Sequence, residues 1–168
     1  LAERLLDVGG ESEADELFRL ALPILKSHAA SSGQVQVRYD SARANMEFGR
    51  FSIRKERWAE AHQSLADAAA AYTEIVKGHP EISTFSANLG SVHLLIAQAF
   101  DSDPDTQNKE QAVRESIENG VALFRGLLKK EGGEYVLNEL EDSPPVCQTS
   151  ESFQNLQRDA RADGQTKI

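Results

Sequence analysis

The chain has 168 residues, 18 basic and 27 acidic, with a formal net charge of −9 and an apolar fraction of 40%. That length can bury one core, the acidity argues against broad affinity for nucleic acid or anionic membrane, and no run of about 18 apolar residues is present to span a bilayer as a helix. Alanine, leucine, glutamate and glutamine abound while valine, isoleucine and threonine are sparse, which favours helix over sheet. The single cysteine, Cys147, rules out an internal disulfide framework and points to a reducing, cytoplasmic compartment. As a lone thiol it is read as incidental. The opening Leu1-Ala2-Glu3-Arg4 has neither an initiator methionine nor a signal pattern, and reads as the start of an excised fragment.

In chain order, Leu1–Val8 is predicted as a truncated apolar helix ended by a left-handed cap at Gly9-Gly10. A helix follows from Glu11 to about Ser27, with acids in its first turn and a buried stripe of Ala14, Leu17, Phe18, Ala21 and Leu25. Pro23 lies inside it and is expected to kink it. Ala29–Gly33 is a linker. Gln34–Lys77 then reads as two helices folded back on each other. The first carries Ala42, Met46, Gly49 and Ile53 at helical spacing; the second carries Trp58, Ala61, Leu65, Ala68, Tyr72 and Ile75. Gly49, Ala61 and Ala68 are small where the helices need to approach closely.

Gly78 closes this unit, and Pro80 suits the first turn of the next helix, about Pro80 to Phe100, striped by Phe85, Leu89, Val92 and Ile96. Asp101–Asn108 is an inserted loop. Its partner helix is Lys109–Glu131, with Val113, Ile117, Gly120, Val121, Phe124 and Leu128 on the apolar face and Gly132-Gly133 at the end. Beyond that, Glu134–Glu141 is a short helix, Asp142–Ser150 an irregular linker, and Ser150 or Ser152 the cap of a last helix carrying Phe153, Leu156 and Ala160. That helix either covers the open end of the stack or belongs to a mobile tail.

The run Phe48-Gly49, Trp58, Ala61, Leu65 and Ala68 resembles the tetratricopeptide repeat, which places a Leu-Gly pair in its first helix, then an aromatic and a small-large-small pattern in its second. Leu89-Gly90 matches the pair again, Leu1-Ala2 sits where it should be in the first unit, and Ala14, Phe18 and Ala21 match the second-helix pattern. The sequence departs at Ser52, where the family usually has an aromatic, and at Ser116 and Asn119, which replace a large and a small residue. Gly49 and Gly90 lie 41 residues apart, Ala14 and Ala61 47, and Ala61 and Ala112 51, all longer than the usual period of about 34, so the helices or connectors are longer than usual. The segments Ala14–Leu22 and Ile75–Pro80 also resemble repeats appended to bacterial serine/threonine kinases of planctomycete type, although no kinase motif is present.

The resemblance implies an all-α fold: antiparallel helix hairpins stacked as a right-handed superhelix over residues 1–131, followed by an irregular or short-helical tail over 132–168. It implies a protein-interaction module, an accessory region of a larger chain, that binds a partner segment in a concave groove. The alternative is a structural solenoid that self-associates through its ends as a homodimer.

One feature goes beyond scaffold. Arg43, Arg50 and Arg54, spaced i, i+7, i+11, form a narrow stripe with apolar residues on both sides. From Gln34 to Arg57 there are six basic residues against three acids, a local surplus of +3. The stripe is either a solvated edge, with Glu47 pairing Arg43 or Arg50, or the wall of a groove for an acidic peptide. By the resemblance these arginines face the groove, with Glu47, Ser91, Asn88 and Leu95 as the further lining candidates. The family's carboxylate-clamp set is not reproduced, since Thr84, Ala87, Ser91 and Leu94 occupy the equivalent positions of the next repeat.

Asp101-Ser102-Asp103-Pro104-Asp105 starts like a calcium loop, but Thr106 and Ala112 replace the required glycine and glutamate. His28, His62, His79 and His93 have no metal spacing. No phosphate loop or nucleophile motif appears. The expectation is therefore no enzyme, no cofactor and no metal.

Overall fold

Apolar side chains recurring every three or four residues give each segment one stripe to bury, and helices result. The structure, a computed structural model, describes residues 10–165. The expected helix Leu1–Val8 and the Gly9 part of its cap lie outside the described residues. Seven α-helices follow: α1 (Glu11–Ser31), α2 (Val35–Arg54), α3 (Trp58–Gly78), α4 (Ser83–Ser102), α5 (Lys109–Glu131), α6 (Gly133–Glu139) and α7 (Glu151–Gln165), with a 3-10 turn at Pro145–Thr149. No strand occurs among the described residues, so the fold is all-α.

The long helices pair antiparallel. Tyr39 near the start of α2 meets Tyr72 near the end of α3 edge-on, ring centroids 5.9 Å apart. Ser83 at the start of α4 hydrogen-bonds to Glu131 at the end of α5. Glycines set how closely each pair approaches. A Cβ on Gly49 would lie 2.7 Å from Leu65 Cδ2, and one on Gly90 would lie 2.7 Å from Phe124 Cε2. The predicted stripe of α3 is the centre of the core: Ala61, Leu65, Ala68, Tyr72 and Ile75 are all fully buried. Each such leucine or isoleucine contributes about 2 kcal/mol by leaving water.

Successive pairs repeat this arrangement. The bonds Arg19–Glu60 and Lys26–Asp67, both 2.9 Å, join α1 to α3 in parallel. The stack is repeat-like because in both pairs a glycine of the first helix receives a large side chain of the second, Gly49 with Leu65 and Gly90 with Phe124.

The structure corrects four sequence expectations. α1 does not stop near Ser27 but runs to Ser31, through the first part of the expected linker. Pro80 does not open α4, which starts at Ser83. It lies in a turn closed by the Ile82 N–H donating to the His79 carbonyl at 3.2 Å, where its fixed φ suits the second turn position. In α1 only Ala14 and Phe18 of the expected stripe are buried; Leu17 and Leu25 are half-buried and Ala21 is exposed. Gly10 is not left-handed; its φ is −82° and it stands before α1.

Of the alternatives left open for the last segment, the structure has the covering helix. Phe153, Leu156 and Ala160 are fully buried, in one core with Leu94, Ile117, Val121 and Phe124. Gly132, at φ 94°, turns the chain from α5 into α6. The Gly133 N–H donates to Asp163 Oδ2 at 2.8 Å, and a Cβ on Gly133 would fall 1.8 Å from the Ala160 carbonyl oxygen.

Gly133→Ala is therefore expected to push α6 and α7 apart and lower stability by about 2–3 kcal/mol. Gly126→Ala, with nothing within 4 Å of the added methyl, is expected to raise stability by about 0.5–1 kcal/mol. Urea unfolding reads both, and limited proteolysis shows whether α7 is released in the first.

Candidate functional site

α2 is held on two faces. Phe48 and Phe51 meet Phe18 of α1 with ring centroids 5.5 and 6.0 Å away, while Ala42, Met46 and Ile53 belong to the central core with α3 and α4. The polar stripe between those faces can only point outward. Arg43 and Arg54 are exposed, and Glu47 and Arg50 are half-buried. Glu47 stands 4.0 Å from Arg50, the i,i+3 pairing expected of a solvated edge.

Three of the expected groove residues come together. Arg50 of α2 and Ser91 and Leu95 of α4 line one crevice, with Leu94 beside them. Glu139, Asp142, Ser143 and Pro144, in and after α6, line its other side, and the free volume is only about 30 Å³, room for about one water. Arg50 Nε and Ser143 Oγ are buried without a hydrogen-bond partner. Leu95, almost fully buried, is core as well as crevice wall. Asn88 does not line the crevice; its Nδ2 donates to Tyr39 Oη at 3.0 Å and ties α4 to α2. Arg43 and Arg54 extend the stripe on either side of Arg50 and do not line the crevice.

The local surplus of positive charge is smaller in the fold than in the sequence. Lys55 pairs with Glu11, and Arg57 grips Asp15 with two bonds of 2.9 and 3.0 Å. Arg57 Nε also stands 3.2 Å from Glu60. Arg19 closes the ring, 3.2 Å from Asp15 and 2.9 Å from Glu60. The Arg57 guanidinium lies 5.0 Å from the centroid of the Phe51 ring, so the charge ring sits on the aromatic cluster. The Arg57 hydrogen bond holds the Asp15 carboxyl below its ordinary range, against the opposing effect of burial; the Lys55 bond does the same for Glu11. Arg43, Arg50 and Arg54 stand outside this ring.

Sequence reasoning missed one polar pair. His62 Nε2 lies 2.9 Å from Asp103 Oδ2, and the Asp105 N–H donates to Asp103 Oδ1 at 3.0 Å. The His62 ring also packs on Phe100, centroids 4.9 Å apart. The Asp105 N–H first, and His62 next, hold the Asp103 carboxyl below its usual range. The Asp-Pro-Asp turn was readable from its residues, but nothing local pointed to a histidine 41 positions earlier. Cys147 is fully buried, and burial pushes its thiol up to about 12, which keeps it protonated and unreactive. Burial also lowers the pKa of His93. Among the described residues no helix is long and apolar enough to cross a membrane, and no group of three or more His, Cys, Asp or Glu is placed to hold a metal ion.

Set against protein-family models, curated proteins and solved structures, the chain finds no match in any of the three. Function has to be argued from the geometry.

Asp15, Glu11 and Asp103 all have folded-state pKa values below their ordinary ones. Each contributes stability that is fully present above the unfolded-state value and is lost as the pH falls through the folded-state value. The denaturation midpoint is therefore expected to fall below about pH 4. Asp15→Asn is expected to be less stable than wild type at pH 7, with the gap narrowing as the pH drops below about 4. Urea midpoints measured from pH 7 to pH 3 check this.

Proposed function

We propose that this chain is a protein-interaction module: its helix pairs stack as a tetratricopeptide-like right-handed superhelix, and an acidic partner segment lies along the concave side against Arg43, Arg50 and Arg54. The observation that carries this reading is the burial of α2 on two faces, by α1 and by α3 with α4, which leaves the arginine stripe on the surface. The recurrence of one packing, Gly49 against Leu65 and Gly90 against Phe124, supports the repeat character. Guanidinium groups suit carboxylates because their paired donors match both oxygens.

A second reading rests on α1. Leu20 and Ile24 are 62% and 69% exposed, one turn apart on the same helix, which fits contact with a second copy of the chain.

The first reading is tested with a fluorescent oligo-glutamate peptide and the double variant Arg43→Glu/Arg54→Glu. Affinity is expected to drop about tenfold or more, from two surface contacts of about 0.5–1 kcal/mol each and the repulsion that replaces them. Binding of an oligo-lysine peptide should not weaken. Unchanged oligo-glutamate affinity removes the reading. The second is tested by sedimentation: a concentration-dependent dimer abolished by Leu20→Glu/Ile24→Glu supports self-association, and a monomer at every concentration excludes it.

A further inference from the structure

We infer that the loop Glu139–Pro144 is a built-in electrostatic competitor for the acidic partner: it holds carboxylates over Arg50 at the centre of the stripe and weakens binding there. This rests on the trough reading above and adds to it a regulator that is part of the same chain. The crevice on Arg50 is closed by Glu139, Asp142, Ser143 and Pro144, with only about 30 Å³ left free. The loop is fastened from beneath. Leu140 and Cys147 are buried in the same core as Leu94 of α4, and Pro144 is buried as well. Glu141 and Asp142 are exposed between these anchors. The loop therefore acts by its charge and does not need to leave.

Arg50 is left with donor capacity. Its ion pair with Glu47 is long, at 4.0 Å, and its Nε is buried with no acceptor. A partner carboxylate can reach only the part-exposed outer end of the Arg50 guanidinium, and there it meets the repulsion of Glu139 and Asp142. Carboxylates arriving at Arg43 or Arg54 do not meet that crevice. The loop thus discriminates by position: it disfavours acids at the Arg50 register more than acids beside it.

The test uses the full 168-residue chain, the oligo-glutamate peptide, and the variant Glu139→Gln/Asp142→Asn, alone and on an Arg50→Gln background. The loop variant is expected to bind about three- to tenfold tighter than wild type, and the gain is expected to vanish when Arg50 is Gln. A gain that persists without Arg50 overturns the inference, because the effect is then only net charge. If the peptide binds wild type and loop variant equally, the trough reading stands and the loop's role falls. If neither protein binds it, the trough reading falls and this inference with it. Binding by the loop variant alone supports both.

Discussion

A methyl group at Gly49 or Gly90 would run into the side chain opposite, Leu65 or Phe124. Its absence lets each helix pair close until the large side chain sits directly against the neighbouring backbone. Packing at that distance is what turns five ordinary amphipathic helices into a layered core. Leu65 and Phe124 are fully buried or nearly so, and each reaches its partner helix at the glycine. Neighbouring pairs are then joined by side chains that serve both. Tyr39 touches both Tyr72 of its own pair and Phe85 of the next, at ring distances of 5.9 and 5.3 Å.

The charges are organised by the parallel run of α1 along α3. Asp15, Arg19 and Lys26 of α1 meet Arg57, Glu60 and Asp67 in register, so cations and anions alternate between parallel helices. Single exposed pairs of this kind add little. A closed ring over Phe48 and Phe51 adds more, because each guanidinium is already ordered by the aromatic face beneath it. The ring also has a consequence for function. It removes Lys55 and Arg57 from the pool of cations that the sequence seemed to offer.

The parts of the fold set by short-range pattern could be read in the sequence. α5 begins and ends where the periodicity says, at Lys109 and Glu131, and α3 begins at Trp58 and ends at Gly78, one residue past the expected Lys77. The five apolar positions expected in α3 beyond Trp58 are buried. The parts set by distant partners could not. Whether Leu17, Ala21 and Leu25 are covered depends on what lies beside α1, not on α1. Pro80 is acceptable both in a first helical turn and in a β-turn, and the backbone hydrogen bond from Ile82 to His79 selects the turn. His62 and Asp103 became partners only when α3 and the end of α4 were brought together. Of the site, the outward stripe of arginines was visible from spacing alone. The loop across its middle was not, since Asn138 to Ser143 carries no periodicity that would place it on α2 and α4.

That loop is where the demands of stability and of binding meet. The last full helix pair leaves Leu94, Val121 and Phe124 needing cover, and α6, Cys147 and α7 supply it. A cover that runs from α6 to α7 has to cross the edge of α4, and its polar residues then have nowhere to go but outward. Glu139 and Asp142 consequently lie on the same crevice as Arg50. The acids were not needed to bury the core; Leu140 and Cys147 do that. Their presence at this point is a separate choice of sequence, and it changes the character of the stripe. Arg43 and Arg54 face water, whereas Arg50 faces a wall that bears its own anions. A uniform basic surface would attract any acidic chain. On the proposed reading, a surface with a basic end, an opposed centre and a second basic end would distinguish among acidic chains by where their charges fall.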